Sequence, residues 1–255
     1  MAASPITAAV LVIGDEILSG SIRDRNIGVI ADLLVELGID LREVRIVRDE
    51  QDDIVSAVNA LRRRYSYLFT TGGLGPTHDD VTADSIAAAF GVGIDIDDRA
   101  RSMLLERHKP DQLNAARLRM ARVPAGADLI AAPTTKAPGF RLENVFVMAG
   151  IPEIMVAMLE QVRPLLKSSA PPLSRTVDAD RIPEGVYADL LRKIAMTHGS
   201  VTIGSYPSMT REGFRNSIVV RGRDAGSVDA AAAAVETMLV TLRDDGSRSP
   251  LAAKA

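Results

Sequence analysis

Residues 6–13 (ITAAVLVI) form a near-continuous apolar run rich in β-branched side chains, the pattern of a strand buried on both faces. From Asn26 onward apolar residues recur at Ile27, Ile30, Leu33, Leu34 and Leu37, one face of a helix, and Gly38 supplies the stop. Ile39 to Val47 alternates as a second strand. Asp52 to Arg64 repeats the helical spacing, with Ile54, Val55, Val58 and Leu61 inward. Tyr67 to Thr71 predicts a third strand that runs straight into a glycine-rich segment, and Asp80 to Phe90 a helix after it. This order predicts an open, mostly parallel sheet with helices on both faces. Ligands of such sheets bind beyond the carboxyl ends of the strands. Gly14 and Thr71 fall at two such ends, so their loops are expected to share one crevice.

Further along, Asp97 to Met120 reads as helical with a break near Pro110, placed to cap the crevice. Leu129 to Ala131 and Val145 to Met148 read as short strands, and Ile151 to Leu166 as a helix that closes a first domain, residues 1–168. The Ser/Pro-rich stretch KSSAPPL reads as a linker. A β-α-β-β-α module follows over residues 174–245, with its helices at Glu184 to Thr197 and Val228 to Leu242, and then a polar tail, residues 246–255, expected to be flexible.

Composition changes this picture mainly by exclusion. Apolar residues are 47% and charged residues 25% of the 255, an ordinary globular balance. Thirty basic against 33 acidic residues leave a net charge of −3, which argues against a nucleic-acid or membrane-surface partner. The run Arg62-Arg63-Arg64 ends a predicted helix, where cations suit the helix dipole. The chain has no cysteine, which excludes disulfides and thiolate chemistry, and its three histidines form no zinc motif. No signal-peptide pattern and no apolar run of membrane-spanning length are read, so a cytoplasmic location is expected.

The strongest chemical signal is TGGLGPTHDDVT, beginning at Thr71. Three glycines in four positions let a backbone approach a ligand closely, consecutive N–H groups can cradle an anion, and the following helix adds its dipole. It is not a Walker A loop, which needs Gly-Lys-Ser/Thr, nor a dinucleotide GxGxxG, since His78 stands at the last glycine. Asp79 and Asp80 at its end are candidate catalytic groups, with His78 beside them as a further candidate base. The alternative is that Asp79, Asp80 and Thr82 cap the helix. Asp80→Asn is expected to separate the two roles, because an amide caps about as well as a carboxylate but does not replace a cation ligand. A second acidic pair, Asp15 and Glu16, follows the first strand and suits a hard divalent cation shared with Asp79 or Asp80; the alternative is a turn cap and a partnership with arginine. Asn26 opens a helix, where a cap is the simpler role, and PGF at Pro138 and GIPE at Gly150 read as turns.

Taken in order, GDEILSG, DRN at Asp24, TGGLGPTHDDVT, APGF at Ala137 and GIPE at Gly150 resemble the molybdopterin-binding (MoCF biosynthesis) domain family in its CinA-type branch, close to the molybdopterin-binding-like domain of eukaryotic FAD synthase. The resemblance covers residue 6 to about residue 166, and the module beyond residue 173 is similar to the small middle domain of CinA-type proteins. It implies a three-layer α/β/α domain with a small α+β domain after it. It implies a small-molecule pterin or nucleotide ligand, with molybdopterin one such ligand, and a homo-oligomer, most simply a dimer. It also implies hydrolysis of the pyrophosphate of ADP-ribose or FAD with Mg²⁺, Mn²⁺ or Co²⁺. Carried over by position, Gly72, Gly73 and Gly75, with Thr77, Thr82, Asn26 and Gly139, would bind the ligand and its phosphate, and Asp15, Glu16 and Asp80 would hold the metal. Ala149 departs from a proline common in relatives, and the amidohydrolase activity of longer CinA proteins is not expected of these 255 residues.

Overall fold

In the computed structural model, which describes residues 5–210 and 213–244, β1 (Thr7–Ile13) is buried along nearly its whole length. Ala9, Leu11 and Ile13 join one hydrophobic cluster, and Ala8, Val10 and Val12 another. Alternate side chains of a strand leave opposite faces, so an unbroken apolar run is what a central strand between two helical layers requires.

The chain continues through the single turn α1 (Asp15–Leu18) and α2 (Asn26–Glu36), returns along β2 (Asp40–Val47), crosses by α3 (Gln51–Arg64) to β3 (Tyr67–Thr71), and enters α4 (Thr82–Phe90) after the glycine-rich loop. A smaller block follows, with β4 (Ile94–Ile96), α5 (Asp98–Leu105), α6 (Ala115–Arg119) and β5 (Arg122–Pro124), in which β4 and β5 pair antiparallel. Then β6 (Asp128–Ile130), β7 (Gly139–Leu142), β8 (Val145–Met148) and α7 (Pro152–Val162) complete this part. The six-stranded sheet has the order β2-β1-β3-β8-β7-β6; its first four strands run parallel, and the β8–β7 and β7–β6 pairings are antiparallel, so that β7 alone is reversed. Side chains of α2 and α7 pack on one face, and those of α3, α4 and α5 on the other. This is the expected three-layer α/β/α architecture. Edge strand β2 leaves Val44 and Ile46 partly exposed, interleaved with Arg45, Glu43 and Arg42, charges that discourage edge-to-edge pairing.

Three local expectations change. The helix read over 97–120 is broken into α5, a 3-10 turn at Pro110–Gln112 and α6. Pro110 cannot donate to a continuing helix, while Asp97 and Asn114 each cap a new start by accepting backbone N–H bonds. The helix after the glycine-rich loop starts at Thr82, not Asp80, because Asp80 is used inside the loop. Gly139 and Phe140, read as a turn, begin strand β7.

The chain divides into two compact units between Ser169 and Ala170. In the second, β9 (Leu173–Asp180), α8 (Glu184–Thr197), β10 (Thr202–Thr210), β11 (Gly213–Gly222) and α9 (Ala225–Asp244) realise the β-α-β-β-α order, with the antiparallel sheet arranged β10-β11-β9. Its core joins Val177, Tyr187, Ile218 and Val220 to Val228, Val235 and Leu239 of α9. By length and composition alone α9 would suffice to cross a membrane, yet one face of it forms this core and Asp229 on it receives a bond from Arg175. The tail, residues 246–255, lies outside the described residues.

Candidate functional site

The parallel strands end together: Ile13 lies beside Val47, Val12 beside Thr71, and Thr71 beside Met148. From β1 the chain goes to β2 on one side and, after it, to β3 on the other, which opens a crevice at that switch in strand order. Glycines follow three of these ends. Gly72 adopts φ 105°, and a Cβ there would overlap the carbonyl oxygen of Ile13. A Cβ on Gly150 would come within 3.1 Å of Gly72 Cα. Missing side chains therefore let the ends of β1, β3 and β8 close backbone to backbone.

Above these ends is a cavity of ≈ 480 Å³, within the range of small-molecule sites. Its lining draws on every motif segment: Glu16 and Ile17, Asp24 to Asn26, Thr71 to Pro76 with Asp80, Ala137 and Pro138, and Gly150 to Pro152. The Gly14 and Thr71 loops thus share one crevice, as strand order predicts.

The loop is held by Asp80. One carboxylate oxygen accepts the Gly75 N–H (2.6 Å) and the other accepts the Thr77 N–H (2.8 Å) and the Thr77 hydroxyl. Buried Thr82 ties the loop from below, its hydroxyl donating to Gly72 O (3.0 Å) and its N–H to Gly73 O (3.2 Å). The Gly73 and Leu74 N–H groups donate to no acceptor among the described residues, leaving two adjacent donors on the cavity wall. On another wall, Asn26 is 4% exposed and its amide donates to Gly150 O (2.7 Å). Its Oδ1 and the Thr71 hydroxyl oxygen are buried without a partner among the described residues, and both residues line the cavity. Orphaned polar atoms of this kind are uncommon away from ligand or water sites.

Several expected roles move. Asn26 is not the cap of α2; Asp24 accepts the Asn26 and Ile27 N–H groups (3.1 and 2.8 Å). Gly72, Gly73, Gly75, Asn26, Glu16 and Asp80 are brought together around the cavity, whereas Thr77, Thr82, Gly139, Asp79 and Asp15 are not among its lining. The Gly75 and Thr77 N–H groups are spent on Asp80 and do not face a ligand. Gly139 is a pairing glycine, since a Cβ would overlap Val147 O across the β7–β8 ladder. Gly73 also needs its hydrogen for a local reason: a Cβ would strike Thr82 Oγ1. His78 and Asp79 are exposed beside each other (3.9 Å), and Asp15 lies 3.4 Å from Arg48. Among the described residues no three acidic or histidine groups converge as a metal cage, so Asp15, Glu16 and Asp80 do not form one together. Loss of function in Asp80→Asn therefore no longer identifies a metal ligand by itself: with both carboxylate oxygens accepting, an amide would turn one acceptor into a donor facing a donor.

Asp49, just beyond β2, had no periodic or motif signal. Its carboxylate accepts the Asp15 N–H (2.9 Å). Burial pushes its carboxyl above the ordinary range, against that bond, and the negative charges of Glu16, Asp15 and Asp79 push the same way. A folded-state pKa above the unfolded one means the native state binds more protons in that window, so stability falls as pH rises through it. Asp49→Asn keeps an acceptor for Asp15 and removes the charge. The variant should melt higher than wild type at pH 7, with the advantage vanishing as pH falls into the carboxylate range. A lower melting temperature at pH 7 would show that the charge is not under strain.

Residues 9–168 match the family described as "Probable molybdopterin binding domain", and residues 171–242 match "FAD synthase, middle domain". A Pyrobaculum aerophilum protein, "Protein PAE0875", is 34% identical over 210 residues, covering 78% of this chain and 79% of its own. A "Probable FAD synthase" of Caenorhabditis briggsae is 26% identical over 92% of this chain, which spans 50% of that protein. Among solved structures, a CinA protein "with unknown function" from Thermoplasma acidophilum superposes with TM-score 0.60 at 30% identity, over 64% of this chain and 98% of that one.

Proposed function

This chain belongs to the molybdopterin-binding domain family in its CinA-like branch, joined to a unit like the FAD synthase middle domain, and from that premise we propose that its cavity binds a phosphate-bearing nucleotide or pterin and, with a divalent cation, hydrolyses a nucleotide pyrophosphate such as ADP-ribose or FAD. The observation that carries the binding is the free Gly73 and Leu74 N–H pair on the wall of the cavity where all five motif segments meet. The likeness of the second unit and of most of the chain to FAD synthase supports a nucleotide with a diphosphate bridge.

Glu16 and Asp80 both line the cavity, and two carboxylates suit a cation of the magnesium type, which keeps waters and takes its remaining ligands from substrate phosphates. When bound, such a cation would neutralise charge building on the phosphate oxygens. The Gly73 and Leu74 N–H groups would hold those oxygens and stabilise the same charge. Water attacks one phosphorus; a P–O bond forms as the bridging P–O bond breaks, and a nucleoside monophosphate leaves. The proton lost by water goes to a carboxylate. Of the cavity acids, Asp24 and Asp80 are engaged by backbone donors, and only the Glu16 carboxylate has none among the described residues. Glu16 is accordingly assigned as that acceptor or as a cation ligand.

Glu16→Gln should lower Mg²⁺-dependent release of nucleoside monophosphate from ADP-ribose or FAD by at least about tenfold without lowering the melting temperature, because the carboxylate has no hydrogen-bond or ion-pair partner to lose among the described residues and its negative charge bears on Asp49. An unchanged rate would refute the assignment. A second reading, a molybdopterin-binding module without turnover, is favoured by the lack of three converging metal-ligating groups among the described residues. Wild-type protein that binds pterin phosphate yet releases no monophosphate with Mg²⁺, Mn²⁺ or Co²⁺ would decide for it.

A further inference from the structure

Arg23 and Arg25 line the cavity beside the start of α2, and both are exposed. Neither makes a hydrogen bond or ion pair among the described residues. Other arginines of this unit are paired: Arg45 with Glu43 at 2.6 Å, Arg99 with Asp97 at 2.7 Å and Arg122 with Asp84 at 2.7 Å. Asp24 lies between the two free arginines in sequence, but its Oδ1 is committed to the Asn26 and Ile27 N–H groups.

The placement is also electrostatically adverse. A helix N-terminus carries partial positive charge, and cations there are disfavoured. Two unpaired guanidinium groups at the entry of the 11-residue α2 therefore do nothing for the fold, and they become favourable only when an anion arrives. Their mounting is rigid: Asp24 pins the first turn, and buried Asn26 bonds to Gly150 O at 2.7 Å, which seats against the Gly72 loop. The Gly73 and Leu74 donors are enough for one phosphate. Guanidinium groups are planar forks matched to a further phosphate.

We infer that Arg23 and Arg25 are specificity-determining residues that bind the second phosphate of a diphosphate-bridged ligand, so that the site selects such a ligand over a monophosphate. This rests on the cavity being the phosphate site proposed above. It assigns the substrate class to the diphosphate nucleotides and disfavours a pterin carrying a single terminal phosphate.

The test is calorimetric titration of wild type, Arg23→Ala, Arg25→Ala and the double variant with ADP-ribose, AMP and adenosine, with divalent cations chelated so that ADP-ribose is bound and not consumed. Wild type should bind ADP-ribose more tightly than AMP, and AMP more tightly than adenosine. The double variant should lose at least about tenfold in affinity for ADP-ribose, with less than about threefold change for AMP, as expected for charge-assisted bonds to one phosphate. Its melting temperature should be unchanged or higher, since two cations leave a helix N-terminus. Equal weakening of ADP-ribose and AMP, or no weakening of either, would overturn the selection with the phosphate site left standing. Wild-type protein that fails to prefer AMP over adenosine, or binds none of the three, would overturn the phosphate site and this inference together.

Discussion

Asp80→Asn and Asp80→Ala are each expected to lower ligand affinity and any turnover by at least about 100-fold, equivalent to about 2.7 kcal/mol. Three donors converge on this carboxylate, the Gly75 N–H, the Thr77 N–H and the Thr77 hydroxyl. Charge-assisted bonds to backbone donors are the stronger kind, and here they fold Gly75 to Thr77 back so that the Gly73 and Leu74 N–H groups stay on the cavity wall. An amide can accept on one side only; its NH₂ would face an N–H and the loop would open. Asparagine should therefore be nearly as damaging as alanine, and the affinity for a phosphate ligand should fall even without a divalent cation. Titration of each variant with and without Mg²⁺ checks this. If Asn binds as wild type does, the carboxylate is not a clasp; if its defect appears only with the cation, the carboxylate acts on the ligand through the metal alone. Global stability should change less than binding, because the loop lies outside both hydrophobic clusters apart from Leu74 and Val81 at their margin.

Gly72→Ala should be the most destabilising small substitution in the first unit, costing about 3 kcal/mol or more. At φ 105° an L-residue is strained, and its Cβ would overlap a main-chain oxygen, that of Ile13, in a strand buried along nearly its whole length. A side chain could swing aside; a ladder carbonyl cannot, so β1 and β3 would have to part at their ends. Gly28→Ala is the matched control. Gly28 is inside α2 with nothing within 4 Å of a new Cβ, and alanine there should stabilise by about 0.5–1 kcal/mol. Chemical denaturation of the two variants checks the pair. A Gly72→Ala protein within about 1 kcal/mol of wild type would mean that the strand ends are not packed as closely as described.

What could be read in advance was set by neighbouring residues in the chain. The run ending at Ile13 announces a strand buried on both faces, and the helical spacing through Ile30, Leu33 and Leu34 announces the face that α2 turns to the sheet. The strand order then locates the cavity, and the glycines of the loop mark its floor. What stayed hidden depends on partners far along the chain. Nothing near Asn26 says that its amide will meet Gly150, 124 residues on, or that Asp24 will take over the cap. Asp49 carries no motif, and its strained charge arises only when β1 and β2 bring Glu16 and Asp15 beside it. Gly139 resembled a turn because a four-residue strand is too short to show alternation, and the hairpin after it turns through Glu143 at φ 52°, a residue that does not advertise a turn. Thr82 and Thr77 looked like ligand contacts because a loop's internal ties and its outward donors use the same residue types.

The bond from Asn26 to Gly150 also bears on how the site comes into being as the chain is made. The cavity takes its walls from residues between Val12 and Met158. A ribosome-bound chain that has completed β1, β2 and β3 already carries the glycine-rich loop, but Gly150 and the end of β8 are still missing. Closing so long a loop is paid in chain entropy and comes late. Ligand can therefore stabilise the finished first unit by mass action, and it has nothing to hold in an unfinished one.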